Sequence, residues 1–93
     1  MKPVLIRDNT AGVFFGKLES MDLATGTWVL TEARKIHYWT QAGAVEGVAA
    51  HGIGRDSRVT AEVSRTSGRA LIQAIDLTET QYATLRSFPE WKP

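Results

Sequence analysis

The chain has 93 residues, 43% of them hydrophobic and 23% charged, with a formal net charge of +1. That length supports one small domain with a modest core, and the composition suits a folded globular domain rather than a disordered one. So balanced a charge argues against nucleic-acid binding driven by bulk electrostatics. The chain has no cysteine, which excludes disulfides, thiolate metal sites and cysteine nucleophiles and makes a reducing cytosol the expected compartment. No apolar run approaches the roughly 20 residues that span a bilayer, and the run ended by Arg7 and Asp8 is too short for a signal-peptide core.

Val4-Leu5-Ile6 reads as a short first strand, followed by turn chemistry at Asp8-Asn9-Thr10 and Ala11-Gly12. Gly12 to Ser20 reads as a second strand in which the adjacent Phe14 and Phe15 must face opposite ways. Gly16 within it suggests a bulge or a close backbone approach. Ala24-Thr25-Gly26 is a hairpin signal, with Gly26 available for a positive φ. Thr27 to Thr31 has strong β-propensity and puts Trp28 and Leu30 on one face. The extended pattern resumes from Ala33 to Trp39, so a bend or bulge is expected near Thr31-Glu32-Ala33.

Thr40 is placed to cap a short helix over Gln41 to His51, with Ala44, Val45, Val48 and Ala49 on its apolar face and Gly52 as its stop. Arg58 to Val63 alternates as a half-buried strand, and Ser64 to Arg69 reads as a polar loop. Ala70 to Leu77 is expected as a last strand, although so short a run also suits a helix. Thr78 with Gln81 forms a capping box, and Leu77 with Tyr82 the matching hydrophobic staple, for a helix from Glu79 to about Ser87 that Phe88-Pro89 stops. Trp91 is expected to fold back onto the sheet. The fold class is α+β: a small, mostly antiparallel twisted sheet or partial barrel of five or six strands with two short helices, in a single domain spanning residues 1–93.

The chemistry concentrates in Ala33 to Thr40, the densest mixture of aromatic and cationic side chains. An extended backbone puts Arg34, Ile36 and Tyr38 on one face and Ala33, Lys35, His37 and Trp39 on the other. Arg34, Lys35 and His37 offer donors to a phosphate, and Tyr38 and Trp39 offer rings for a base to stack on. The helix N-terminus that follows favours an anion, and Gly43 would admit one close to the backbone. Arg65 and Arg69, if on a mobile loop, would close over such a ligand. The bland alternative is a half-buried strand with core aromatics and solvated cations. Trp28, Trp39 and Trp91 are many tryptophans for this length and are candidates for a protein interface or a symmetric homo-oligomer.

No catalytic residue, metal ligand or cofactor is expected. Ser57, His51 and Asp56 can be named as a triad, but no nucleophile-elbow context surrounds them, and the two histidines match no zinc spacing.

Arg7 with Ala11-Gly12-Val13 and Gly16, Ala33-Arg34-Lys35-Ile36 with Tyr38-Trp39, Gly43-Ala44, Gly52-Ile53, Ala74-Ile75-Asp76 and Trp91 together carry a resemblance. In these the chain resembles a family of small, mostly uncharacterised proteins of tailed bacteriophages and prophages. The family's usual tryptophan before the Tyr-Trp pair is His37 here. The resemblance implies a virus-encoded protein of the bacterial host's cytoplasm, in a size class that includes sponges for nucleotide immune signals and direct blockers of host proteins. The combined expectation is a non-enzymatic accessory protein acting against host defence by sequestering a nucleotide-like phosphorylated signal. The alternative is an inhibitor of a host protein, or a small structural phage component, acting through an aromatic surface.

Overall fold

A computed structural model describes residues 1–93. Its elements are β1 (Pro3–Asp8), β2 (Gly12–Asp22), β3 (Thr27–Tyr38), α1 (Val45–His51), β4 (Arg58–Val59), β5 (Val63–Gly68), β6 (Leu71–Asp76) and α2 (Glu79–Arg86). β1, β2 and β3 form an antiparallel meander. β6 adds to the free edge of β1, and β4 and β5 share the outer edge of β3, giving one open six-stranded antiparallel sheet. The fold is α+β. No helix is long and apolar enough to cross a membrane.

β3 organises the sheet. Its first half pairs with β5, from Trp28 opposite Gly68 to Ala33 opposite Val63, and its second half pairs with β4 at Ile36 and Tyr38. The change of neighbour coincides with the bend expected from the sequence, where Glu32 adopts φ 46°. Gly16 lies across from it, where a Cβ would come within 2.9 Å of Thr31 O and 3.0 Å of Ala33 Cα. A side chain there would push β2 off β3, and the β2–β3 register indeed shifts between Phe15 and Lys17.

The alternation of the strands yields two apolar clusters. Leu5, Val13, Phe15, Ile36 and Val59 pack beneath Val45, Val48 and Ala49 of α1 and Tyr82 and Leu85 of α2. On the opposite face, Val4, Ile6, Trp28, Leu30 and Ala33 form a second cluster with Phe14, Leu18, Leu71 and Ala74 against it. No helix covers this face, so the sheet buries it by curling on itself. Phe14 and Phe15 therefore do point to opposite clusters, and Trp28 and Leu30 to the same one. Fully burying a side chain of this size contributes about 1.5–3 kcal/mol each, so this second cluster holds the curl against the entropy of the linking turns.

Three local expectations are corrected. The first helix starts at Val45, not Gln41, and Ala44 rather than Thr40 is its N-cap, with no side-chain capping bond. Gln41 sits at φ 66°, which no helix can continue through, and the Thr40 hydroxyl is buried without a partner. The expected strand from Arg58 to Val63 is only the two-residue β4, because the chain leaves the second half of β3 at Thr60 and returns to its first half at Val63. The expected polar loop from Ser64 to Arg69 is mostly β5. Gly68 makes this pairing possible: a Cβ there would lie 2.6 Å from the Trp28 ring, so only glycine lets the indole lie under the strand.

Gly52 closes α1, its N–H donating to Val48 O. At α2 the capping box is complete: Gln81 N donates to Thr78 Oγ1 at 3.1 Å and Thr78 N to Gln81 Oε1 at 3.0 Å. Thr78→Ala removes one half of the box and is expected to lower stability by about 1 kcal/mol in a urea titration, with the sheet unchanged by circular dichroism.

Candidate functional site

The residues singled out in Ala33 to Thr40 do not converge on one ligand. Arg34 is 5% exposed, and its guanidinium is engaged by backbone carbonyls: Nε donates to Thr60 O at 2.7 Å, Nη1 to Arg86 O at 2.8 Å and Phe88 O at 2.6 Å, and Nη2 to Val59 O at 3.3 Å. Burial lowers its pKa from the ordinary value, and Glu62 and Glu90 act in the opposite direction. Arg34 ties the end of α2 to the segment that follows β4, and no donor row is left to clamp a phosphate. Lys35 emerges on the other side of β3, where its Nζ lies 5.8 Å from the centre of the Phe14 ring. Trp39 packs on the helix-side core and donates its Nε1–H to Gly43 O at 2.9 Å. Gly43 serves its own backbone, at φ 72°, and the first turn of α1 carries Glu46, which opposes an anion.

Arg65 is on β5, not a mobile loop, and makes a two-pronged ion pair with Glu19 at 3.1 and 2.8 Å. Arg69 is exposed at the β5–β6 corner, beside the Trp28 end of β3, whereas Tyr38 is at the other end of that strand. Trp28 is buried at 1% exposure and donates its indole N–H to Asp8, so it is a core residue rather than an interface anchor. Ser57, of the nominal triad, accepts a hydrogen bond from Thr40 N through its hydroxyl, and His51 is exposed at the end of α1.

What the fold does assemble is a stack. The His37 and Trp91 rings lie 4.8 Å apart and within 6° of parallel. The Arg58 guanidinium carbon lies 5.3 Å from the Trp91 ring centre and 5.6 Å from that of Tyr38. His37, Arg58 and Tyr38 are exposed, Tyr38 by 50%, and Trp91 is half-buried. Register explains the meeting: Tyr38 opposes Arg58 across the β3–β4 ladder, which brings the guanidinium beside the phenol. The tail supplies the indole, because Trp91 N donates to Val59 O at 2.8 Å and Glu90 bridges to Val59 in parallel. Arg34 holds that tail from beneath through Arg86 O and Phe88 O. Exposed cation–π contacts of this kind are worth about 0.5–1 kcal/mol each, enough to align the four groups but not to bury them.

Tyr38, His37 and Trp91 were legible as candidates. Arg58 was not, because in the sequence it is one of several arginines among acidic residues. Only the β3–β4 pairing distinguishes it.

The concave surfaces are open. The groove beside Arg34, about 330 Å³, is lined also by Ala61, Glu62, Arg86, Phe88 and Glu90. Its remaining cation, Arg86, makes a two-pronged ion pair with Glu62 at 2.7 and 2.8 Å and a third contact with Glu32 at 3.0 Å, which raise its pKa, Glu62 foremost.

A search of curated proteins and a search of solved structures each found no match. A family profile does match, over residues 1–85, a span that takes in every strand, α1 and all but the last residue of α2. The chain belongs to the family described as a domain of unknown function, DUF6948.

Proposed function

We propose that this protein is a non-enzymatic binding module that engages a partner protein through the stacked surface of His37, Trp91, Arg58 and Tyr38. The observation that carries this reading is the stack itself. Tyrosine, tryptophan and arginine dominate the energetic centres of protein interfaces, and here Tyr38 and Arg58 are held on paired strands with the Trp91 indole of the tail stacked beside them, which lowers the ordering cost of binding. The resemblance to small tailed-phage and prophage proteins supports an accessory role in the bacterial cytoplasm, directed at a host protein of a defence system.

Sequestration of a nucleotide-like phosphorylated signal is the second reading, favoured by the exposed Tyr38 ring beside a guanidinium that has no carboxylate partner. It is the weaker of the two because the grooves are open and Arg34, Arg65 and Arg86 are already engaged.

Native mass spectrometry of the protein purified from bacterial cells separates the readings. A co-purifying polypeptide that Tyr38→Ala and Arg58→Ala each weaken by about 2 kcal/mol or more, as interface centres do, supports the first. A small phosphorylated mass released on denaturation supports the second. Full retention of the bound species in the Tyr38→Ala, Arg58→Ala double variant would remove this surface from both.

A further inference from the structure

The stack leaves its polar edges without partners. Arg58 takes part in none of the five ion pairs of the chain. Its guanidinium is held against the Tyr38 and Trp91 rings, at 5.6 and 5.3 Å. Ring faces attract the charge but leave the guanidinium's N–H donors without an oxygen to bond. The other tryptophans and the other tyrosine of the chain are satisfied internally: Trp28 donates to Asp8, Trp39 to Gly43 O and Tyr82 to Glu32 O. The Trp91 indole N–H and the exposed Tyr38 hydroxyl have no such acceptor, and the imidazole of His37, stacked on Trp91, adds a further donor. One surface thus gathers a row of donors around a single fixed cation, with no carboxylate among them. The acids nearby in sequence do not fill it. Glu90 lines the groove beside Arg34 and acts on that guanidinium, and Asp56 is exposed and makes no ion pair.

We infer that the group completing this surface is a carboxylate of the partner protein. A glutamate or aspartate side chain accepts two parallel N–H bonds from Arg58, and an apolar neighbour on the same segment covers the Tyr38 ring. This rests on the stacked surface being the binding surface, and it adds the chemistry that the surface selects. A guanidinium edge matches a carboxylate in plane, spacing and charge. The charge balance favours a carboxylate over a phosphate. A phosphate monoester carries about −1.5 to −2 at neutral pH, whereas the stack offers one guanidinium. Arg34, Arg65 and Arg86 are engaged elsewhere, and the exposed Arg55 and Lys92 are each accompanied in sequence by an acid, Asp56 and Glu90. A partner seated on Tyr38 and Trp91 also excludes water from the ion pair, which strengthens it over the same pair in solvent.

The test is a titration of the full chain by NMR, following the Arg58 Nε–H and Trp91 Nε1–H signals. The probes are the capped pentapeptide Gly-Glu-Phe-Glu-Gly, its uncharged analogue Gly-Gln-Phe-Gln-Gly, and inorganic phosphate. The glutamate peptide is expected to shift both signals saturably in the millimolar range, which suits one charge-assisted contact and one stacked ring. The glutamine analogue is expected to bind at least about tenfold more weakly, as is the glutamate peptide to Arg58→Gln, and Arg58→Lys is expected to recover only part of that loss. No saturable shift with the glutamate peptide, equal affinity for the two peptides, undiminished binding by Arg58→Gln, or tighter binding of phosphate than of the peptide would overturn the inference. The polypeptide that co-purifies from cells separates this failure from failure of the surface itself. Binding that depends on Tyr38 and Trp91 but is indifferent to Arg58→Gln overturns the carboxylate and leaves the stacked surface standing, whereas indifference to Tyr38→Ala, Trp91→Ala and Arg58→Gln alike removes both.

Discussion

Asp8→Asn is expected to destabilise the protein by about 2–5 kcal/mol in a denaturant titration, because it leaves at least two donors facing a donor at about 1–3 kcal/mol each. Asp8 is 3% exposed. Oδ1 accepts from Thr10 N at 2.9 Å, Thr10 Oγ1 at 3.0 Å and Ala11 N at 2.8 Å. Oδ2 accepts from the Trp28 indole N–H at 2.7 Å and Ala70 N at 3.0 Å. One carboxylate thereby closes the β1–β2 turn, fixes the tryptophan at the centre of the second cluster and holds the β5–β6 corner. An asparagine can satisfy only one of the two sets. Its amide nitrogen would face either the Trp28 and Ala70 donors or those of Thr10 and Ala11, donor against donor.

The same network predicts acid sensitivity. Burial pushes the Asp8 pKa up, but the hydrogen bonds, led by the one from Trp28, outweigh it and hold the carboxyl well below the usual carboxylate range. A depressed folded-state value means that the contribution is fully present above the unfolded value, about 3.9, and is lost as the pH falls below it. Wild-type stability should therefore drop steeply below about pH 4, and the Asp8→Asn protein should show a flatter profile in that window. Parallel profiles for the two proteins would contradict this assignment.

The second large effect is expected at Arg34. Arg34→Met leaves the Thr60, Arg86 and Phe88 carbonyls without the guanidinium, whereas Val59 O keeps the Trp91 N–H. Each buried group left unsatisfied costs about 1–3 kcal/mol, so a total loss of about 3 kcal/mol or more is expected after local relaxation admits water. Arg34→Lys should recover only part of it, because an ammonium has three donors and no planar fork to span carbonyls from two segments. The variants should also release the tail, seen as loss of the ring-current shift between His37 and Trp91 by NMR. A destabilisation under about 1 kcal/mol, with that shift intact, would show that the bonds to Arg34 are dispensable. Loss of partner binding in an Arg34 variant accordingly reports on the tail and not on a ligand contact.

Much of the local structure was readable because it is set by near neighbours in sequence. The capping box of Thr78 and Gln81, the opposed Phe14 and Phe15, the shared phase of Trp28 and Leu30 and the bend before Ala33 each follow from a few consecutive residues. β5 was not readable. Ser-Arg-Thr-Ser-Gly has loop composition, and it becomes a strand only because β3 presents a free edge and Trp28 needs a glycine across from it. The role of Arg34 was hidden for a similar reason. An arginine in an extended stretch looks the same whether its guanidinium meets water or carbonyls from residues 59, 60, 86 and 88. The stack shares this limit, since two of its members lie in β3 and the others come from β4 and the tail.

That division of the stack has an evolutionary consequence. Trp91 lies beyond the family-matched residues 1–85, whereas His37, Arg58 and Tyr38 lie within them. Of the residues after Arg86, only Phe88 touches either apolar cluster. Substitutions at its positions other than Phe88 can therefore change the recognition surface while leaving the apolar clusters alone, whereas a change in β3 alters both together. Because Arg34 holds that segment by the Arg86 and Phe88 carbonyls, its exposed positions can vary in related chains without loosening the hold.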